Sequence, residues 1–267
     1  MQVVVLRLPR LERRGVLRPA LDGALRGAGG LRSDDILAVT SKVVSVDEGR
    51  LTDLSRVRPT KRAVALARKA RMDPAFARVA LDESDLVLGA VPGALLCLKG
   101  GHLIANGGAD LSNAPPGFAV LWPKDPWASA ERLRRWAVRR AGGPVGVVIT
   151  DSHCEPLRLG TSGVALACAG FLPVEDVRGR QDLFGREMRI TQRAVADGLA
   201  SAAVLKMGEV DESTPAAILR DTGVRTFSRS LSNREREQAT IPPEQDLFAP
   251  AYRAPLRRGA QRNRRRG

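Results

Sequence analysis

The order of apolar and polar positions predicts a chain that alternates between short strands and amphipathic helices. Apolar or β-branched runs that are typical of strands occupy residues 3–8, 36–46, 86–91, 94–98, 102–105, 145–150 and 164–169. Helical periodicity or helix start signals mark residues 18–28, 63–71, 74–81, 125–141 and 190–207. The pattern therefore predicts an α+β (mixed α/β) fold.

Two of these segments frame a possible site. The helix at 125–141 opens at Asp125 and Pro126, and it should turn Leu133 and Trp136 or Ala137 towards a core. The following run, 145–150, is almost continuously apolar, which is the pattern of a strand buried on both faces. A loop is expected at 151–160, directly after this strand.

Length and composition limit the domain organisation and the class of protein. A chain of 267 residues can bury a real core, built here from aliphatic side chains because aromatic residues make up only 4%. After residue 228 the pattern decays, so we expect a folded domain at 1–227 and a polar, arginine-rich, flexible tail at 228–267. No apolar run approaches the roughly 20 residues that span a bilayer, and residues 1–8 do not resemble a secretory signal.

The cysteines, histidines and acids indicate a compartment and a kind of metal. Three widely spaced cysteines with no CxxC pair favour a reducing cytoplasm. With two histidines in the chain, a zinc site is not expected. Carboxylates would hold a metal instead, which favours Mg²⁺ or Mn²⁺.

The net charge of +14 suggests a nucleic-acid partner, but its distribution argues against one. The last 17 residues carry seven arginines and no acid, and so supply half of the excess charge. Elsewhere arginines are mixed with acids, as on solvated helix faces. Nucleic-acid binding is therefore the less favoured alternative.

Three acid-bearing clusters could carry chemistry, although each also has an ordinary structural interpretation. Residues 106–113 are rich in Asn and Gly and include Asp110, which suits either a cation site or an Asx turn. Asp151 and Ser152 follow the most strand-like run, where open α/β sheets place ligand groups, but Asp151 could also be a helix cap. The cluster at 207–212 places Glu209 at a helix C-terminus, where the helix dipole disfavours an acid, and this suggests a cation partner. The ordinary structural interpretation of this cluster is a solvated acidic loop.

Longer motifs make the order of these clusters more specific. Between the second and third lie Asp182-Leu183-Phe184-Gly185-Arg186-Glu187 and Ala194-Val195-Ala196-Asp197, and Met207-Gly208-Glu209 follows. Near the N-terminus stand Leu8-Pro9-Arg10-Leu11 and Thr40-Ser41-Lys42-Val43-Val44-Ser45. Together these motifs, from near the N-terminus to about residue 220, resemble the F420-0:gamma-glutamyl ligase family.

The resemblance implies a fold and an activity. The family fold is a mixed α/β dimer of two intertwined subdomains, which would place both subdomains within 1–227. The implied reaction joins L-glutamate to the carboxylate of coenzyme F420-0 with hydrolysis of GTP, and a second, γ-linked glutamate can follow. Divalent metal is required, with K⁺ as a candidate additional ion. The implied partners are GTP, L-glutamate, coenzyme F420-0 and a second copy of the chain.

The resemblance also assigns residues to binding sites. The implied metal ligands are Asp110, Asp151, Ser152 and Glu209. The implied nucleotide-binding residues are Leu8, Pro9, Arg10, Leu11, Ser41, Lys42, Asn113, Met207, Gly208, Glu209, Val210, Asp211, Glu212, Ser213 and Thr214. No side-chain nucleophile or other catalytic residue is assigned.

This sequence departs from the family pattern at the proposed anion-binding positions. After Asp151 the family has a loop resembling Thr/Ser-x-Gly-Arg, whereas this chain has Ser152-His153-Cys154-Glu155, with Arg158 as a possible replacement cation. Val46 stands where relatives often carry a nucleotide-contacting Lys, and Lys42 is the nearest substitute. These changes leave open a related amide ligase with a different carboxylate acceptor.

Overall fold

The computed structural model describes residues 1–252, and residues 253–267 lie outside the described part of the chain. The strands are β1 (Gln2–Leu6), β2 (Ile36–Thr40), β3 (Leu51–Asp53), β4 (Leu86–Val91), β5 (Ala94–Lys99), β6 (His102–Ala105), β7 (Phe118–Val120), β8 (Gly146–His153), β9 (Ser162–Ala169), β10 (Val174–Asp176), β11 (Gln192–Ala194) and β12 (Ala216–Arg220). The helices are α1 (Leu17–Gly27), α2 (Ser41–Glu48), α3 (Lys61–Ala70), α4 (Pro74–Glu83), α5 (Pro126–Ala141), α6 (Val195–Met207) and α7 (Asn233–Glu237). The fold class is the mixed one predicted from the sequence.

The chain divides into two compact units. The first comprises residues 1–49 and 123–239, and the second comprises 50–122 together with the described residues from 240 onwards. The first unit contains a five-stranded sheet in the order β1-β12-β2-β8-β9, in which β2 and β8 are parallel and the other pairs antiparallel. The second contains the antiparallel meander β4-β5-β6 and the pair β3-β7.

The core of the first unit is formed by the sheet and α6. On β2, Ile36 and Ala38 pack with Leu199 and Ala203 of α6, and alternate residues such as Leu37 are equally buried. Burial of successive residues means that both faces of the strand are covered. Residues 146–149 of β8 are buried in the same way, as the apolar run predicted. Cys168 packs in this core as a small apolar residue.

Helix α5 follows its sequence signals closely. Asp125 caps it by accepting from Ala128 N–H at 2.9 Å, and it ends at Gly142, whose φ of 68° is left-handed. Leu133, Trp136 and Ala137 are buried as predicted. Such local agreement is expected where cap, proline and glycine all mark the boundaries.

Three predicted boundaries were wrong. Residues 41–46 form the start of helix α2, not a continuation of β2, and the buried Ser41, Val44 and Ser45 follow helical spacing. An apolar run this short is compatible with both helical and strand periodicity, so tertiary packing determines which of the two structures forms. The helix predicted at 190–207 begins at Val195, because residues 192–194 pair with β10. Residues 151–153 extend β8 and do not belong to a loop.

Residues 228–252 include secondary structure that the sequence pattern did not predict. Helix α7 is capped by Ser232, which forms a capping box with Glu235. Before it, Ser228 O accepts from Arg134 Nη1 at 2.7 Å, and Ser230 Oγ donates to Glu131 Oε1 at 2.8 Å. These bonds hold the start of the predicted tail against α5. Residues 253–267, on which the rest of that prediction falls, are not described.

Within residues 1–252, no helix is long and apolar enough to cross a membrane.

Candidate functional site

Strand pairing in the first unit brings the ends of four strands together at one end of the sheet. Leu6, at the end of β1, pairs with Ala216, at the start of β12, and Ala216 pairs with Val39, near the end of β2. Thr40, the last residue of β2, pairs with Thr150 of β8. The segments that leave β1, β2 and β8 therefore lie beside the loop that enters β12. We call this end of the sheet, where these strands begin or end, the sheet edge.

Backbone hydrogen bonds hold these segments together. Leu8 N–H donates to Ser213 O at 2.9 Å, and Thr40 N–H donates to Pro215 O at 2.9 Å. The segment at 8–11, the first turn of α2 and the loop at 207–214 are thus neighbours, although they lie far apart in the sequence. Most of the residues predicted to bind nucleotide lie in these three segments.

Oxygen ligands converge at the same edge. Ser152 Oγ donates to Glu209 Oε1 at 3.0 Å, and Asp151 Oδ1 accepts from Ser152 N–H at 2.9 Å. Thr161 Oγ1 lies 3.0 Å from both carboxylate oxygens of Glu209. We call Asp151, Ser152, Thr161 and Glu209 the oxygen cluster. Carboxylates beside hydroxyls are the donor set that a hard cation such as Mg²⁺ takes, so these residues fit the predicted metal.

Thr161 was missed by the sequence prediction. Thr161 is the residue before β9, and its closeness to Ser152 follows from the β8–β9 register, in which Ser152 pairs with Gly163 and His153 with Ser162. The register includes an irregularity that sequence patterning does not reveal. A hydroxyl residue just ahead of the strand after Asp151 was the available signal.

That irregularity is a β-bulge beside Asp151. Ile149 pairs with Ala167 whereas Thr150 pairs with Ala165, so Leu166 is the extra residue on β9. Asp197 of α6 accepts from Ala165 N–H at 2.9 Å. Bulges redirect side chains and occur often next to active sites. Asp197, from the Val-Ala-Asp motif, therefore holds the bulged strand β9 beside the oxygen cluster.

Close packing of α6 on β9 fixes the same hairpin. Ser201 Oγ donates to Gly163 O at 2.7 Å, and a Cβ on Gly163 would lie 2.5 Å from Ala200 O. Only glycine allows this approach of helix and strand. The helix that carries Glu209 beyond its C-terminus is thus locked to the hairpin that carries Ser152.

The loop after α6 presents backbone amides. Gly208 has a φ of 76°, and a Cβ there would lie 2.2 Å from Glu212 Cδ. Glu212 Oε2 accepts from Val210 N–H at 2.8 Å. The backbone amides of Glu212 itself and of Val210 lower the pKa of the Glu212 carboxyl. The loop therefore accepts an anionic group on its amides, here its own side chain.

The first turn of α2 adds further donors to the edge. Its N-cap, Thr40, makes no side-chain capping bond, and the initial N–H groups of a helix favour anions such as phosphate. Nearby, the Thr150 and Ser45 hydroxyls are buried without a hydrogen-bond partner among residues 1–252. The edge thus combines groups suited to a cation with groups suited to an anion.

Several predicted nucleotide residues have buried side chains. Leu8, Ser41 and Met207 are 3%, 2% and 2% exposed, and Thr214 Oγ1 donates to Met207 O. Such residues can reach a ligand only through their backbone. Arg10, by contrast, is exposed and pairs with Glu12 at 3.2 Å. Val46 is buried, so its side chain offers no solvent-facing group to a ligand in this chain.

Asp110 and Asn113 belong to the second compact unit. Asp110 forms a β-bridge with Val120, and its carboxylate accepts from the N–H and Oγ of Ser112, each at 2.8 Å. Asn113 has a left-handed φ of 55°. Within residues 1–252, no group of three or more His, Cys, Asp or Glu side chains is arranged to hold a metal ion. A metal site that includes Asp110 stays a prediction.

The divergent loop after Ser152 is closed by contacts within the loop. His153 Nε2 lies 3.3 Å from Glu155 Oε1, and Arg158 N–H donates to Glu155 O at 3.2 Å. Arg158 is exposed. The loop therefore presents both an acid and a nearby arginine where the family motif has glycine and arginine.

The fold and the edge define a mixed α/β protein whose sheet edge suits a hard cation and an anionic ligand. The family model of F420-0:Gamma-glutamyl ligase matches residues 7–221. A coenzyme F420:L-glutamate ligase of Methanopyrus kandleri is 40% identical over 220 residues, covering 82% of this chain and 86% of the relative. Those of Methanocaldococcus jannaschii (36%; 82% and 86% covered) and Haloarcula marismortui (39%; 84% and 87% covered) are also similar. The chain belongs to the F420-0:gamma-glutamyl ligase family.

Proposed function

We propose that this protein ligates L-glutamate to the terminal carboxylate of coenzyme F420-0, with GTP as the phosphoryl donor and Mg²⁺ or Mn²⁺ as the required metal. The observation that carries the proposal is the oxygen cluster, which lies at the same sheet edge as the amide-rich loop at 207–214 and the first turn of α2. The names of the relatives support the acceptor and the amino acid.

The chemistry explains why such an edge is needed. A carboxylate is a poor electrophile, so its oxygen first attacks the γ-phosphorus of GTP, the bond to the β-phosphate oxygen breaks, and GDP leaves. The glutamate amine then attacks the acyl carbon, phosphate leaves with the bonding electrons, and the amine loses a proton. Negative charge grows on phosphate oxygens in both steps, and fixed positive groups lower that barrier.

The residues take separate roles in this proposal. Asp151, Ser152 and Glu209 would hold the divalent ion, with Asp110 as the further ligand that the family resemblance implies, and the bound ion would offset phosphate charge. Backbone amides of the 207–214 loop and of Ser41 and Lys42 bind phosphate oxygens. Leu8, Pro9, Arg10, Leu11 and Asn113 complete the nucleotide site. Addition of a second glutamate, a role for K⁺ and a cytoplasmic location remain predictions.

A mass-based assay tests the proposal. The protein with F420-0, glutamate, GTP and Mn²⁺ should give a product one glutamyl unit heavier, and Asp151→Asn should abolish it. Asp22→Asn is the matched control, since Asp22 is a surface acid of the same unit paired with Arg140 at 2.9 Å. Absence of any mass shift, with an established ligase active in parallel, would refute the proposal.

A homodimer forms part of the proposal, and an exposed hairpin supports it. Residues 179–188 form a hairpin closed by Gly179 N–H to Met188 O at 2.9 Å and Met188 N–H to Arg180 O at 2.8 Å. At its tip Leu183 is 100% exposed and Phe184 is 88% exposed. Two adjacent, exposed apolar side chains at a hairpin tip are a candidate contact for a second copy of the chain. Light scattering should show a dimer that Leu183→Asp with Phe184→Asp converts to a monomer, and an unchanged mass would contradict this.

A related amide ligase with another carboxylate acceptor is the second candidate. The His153–Glu155 pair favours it, because it places an acid where the family motif has a cation. This candidate predicts metal-dependent GTP binding without F420-0 turnover. Restoring the motif with Cys154→Gly and Glu155→Arg should then raise F420-0 turnover, whereas under the leading proposal the wild-type chain is already active.

A further inference from the structure

A cavity in the first unit is lined by α1, α2 and α5 and shares no lining residue with the oxygen cluster. Its volume is about 430 Å³, and Leu17, Val44 and Leu133 form an apolar floor. Cavities of this size accommodate small organic ligands. We call it the arginine pocket, because Arg18, Arg132, Arg135 and Arg139 also line it.

The two acids of the arginine pocket already have partners. Asp47 Oδ1 accepts from Leu17 N–H at 2.7 Å and so caps α1. Glu48 Oε1 accepts from Ser129 Oγ at 2.5 Å and from Arg132 Nη2. Glu48 thereby neutralises the charge of Arg132, and the Asp47 carboxylate is used to cap the N-terminus of α1. The remaining three arginines have no equivalent neutralisation from these acids.

Those three arginines also lack strong partners elsewhere in the described chain. Arg135 Nε is 3.4 Å from Glu131 Oε1, but Glu131 is already bound by Arg134 through two bonds of 2.7 and 2.8 Å. Arg18 and Arg139 form no ion pair within residues 1–252. Guanidinium groups that line one cavity repel one another, and a multivalent anion bound there would relieve that repulsion.

The positions of the arginines on their helices strengthen this point. Arg132, Arg135 and Arg139 have the spacing of one face of α5. Arg18 lies in the first turn of α1, where the helix dipole disfavours a cation and no acid is present. Both the helix dipole and the neighbouring arginines disfavour a positive charge at Arg18. A residue in such an unfavourable position indicates a functional role more than a stabilising one.

We propose that the arginine pocket binds a small multivalent phosphate, at a site separate from the proposed ligase site. Bidentate recognition of phosphate oxygens is what guanidinium groups do best, and the apolar floor accommodates a ring or chain joined to the phosphates. A concavity of about 430 Å³ lined by two acids as well as arginines suits a small ligand better than an extended nucleic-acid backbone. The two sites share no residue, so this proposal stands without the proposed function.

Calorimetric titration of the full chain with tripolyphosphate tests the proposal. The variant Arg135→Gln with Arg139→Gln should weaken binding at this site at least about tenfold, since each change removes charge-assisted hydrogen bonds. Arg140→Gln is the matched control, because Arg140 neighbours the site on α5 but is bound bidentately by Asp22 at 2.9 Å. It should bind as the wild type does.

Two further arms identify the site and the ligand. Asp151→Asn should keep the arginine-dependent binding, which separates the arginine pocket from the sheet edge, and the double arginine variant should keep ligase turnover. Circular dichroism checks that each variant is folded. Equal tripolyphosphate affinity in wild type and double variant would overturn the proposal. So would arginine-dependent binding of a single-stranded RNA probe without binding of tripolyphosphate, which would indicate a nucleic-acid surface.

Discussion

The sheet edge and the arginine pocket lie in the same unit but concentrate opposite charge by different means. At the sheet edge, Glu209 meets Ser152 and Thr161, which are 57 and 48 residues away in sequence. In the arginine pocket, three of the arginines follow one another on a single helix. The edge depends on strand register and close packing, whereas the pocket depends on helical spacing. Changes to packing should therefore damage the first and leave the second intact.

The largest expected effect is on turnover when the edge loses an acid. Glu209→Gln should lower the glutamate ligation rate by about 100-fold or more, in the range seen when one preorganised charge-stabilising group is removed. Tripolyphosphate binding at the arginine pocket should not change. Steady-state kinetics with the mass assay measures the first effect and calorimetry the second. Full activity in Glu209→Gln would remove Glu209 from the proposed metal site.

The next effect tests the packing that holds the edge. Gly163→Ala forces a Cβ to within 2.5 Å of Ala200 O, a backbone atom that cannot move aside easily. It should lower the free energy of unfolding by about 1–3 kcal/mol, as overpacking does. Gly198→Ala, on the exposed face of α6 with nothing within 4 Å of the new Cβ, is the control. It should be neutral or stabilising by up to about 1 kcal/mol. Equal denaturation midpoints would show that the close approach is unimportant.

The third effect is on the stability that the Arg134–Glu131 ion pair of α5 contributes, a pairing that Arg18 and Arg139 of the arginine pocket lack within residues 1–252. The hydrogen bonds from Arg134 to Glu131 lower the pKa of the Glu131 carboxyl. A lowered folded pKa contributes stability above the unfolded pKa of Glu, and that stability is lost as pH falls through the folded value. Glu131→Gln should therefore cost about 1–3 kcal/mol at neutral pH, and the difference should shrink in acid. A difference independent of pH would contradict the assignment.

The smallest effect concerns the residue that sequence patterning missed. Thr161→Val keeps the shape of the side chain but removes the hydroxyl that contacts Glu209. Mn²⁺ affinity should fall by about tenfold, the scale of losing a group that orients a metal ligand. Thr52→Val, on β3 of the other unit, is a comparison substitution and should leave the affinity unchanged. Unaltered Mn²⁺ affinity in Thr161→Val would limit the cluster to the other three residues.

Local signals predicted local structure well and long-range geometry less well. Helix α5 was placed correctly because Asp125, Pro126 and Gly142 mark its ends within the sequence. Residues 41–46 were assigned to a strand because a short apolar run does not distinguish the two periods. Asp151 and Glu209 were predicted as metal ligands only through the family resemblance, since each looked ordinary by itself. Thr161 depends on the register around the Leu166 bulge, which no local pattern encodes.

The central claim is that the oxygen cluster holds a divalent cation, and a Mn²⁺ titration followed by electron paramagnetic resonance tests it most directly. The account predicts saturable Mn²⁺ binding to the wild type, retained in Asp22→Asn and lost or weakened at least about tenfold in Asp151→Asn, with the fold unchanged by circular dichroism. Mn²⁺ binding of equal affinity in wild type and Asp151→Asn would contradict it.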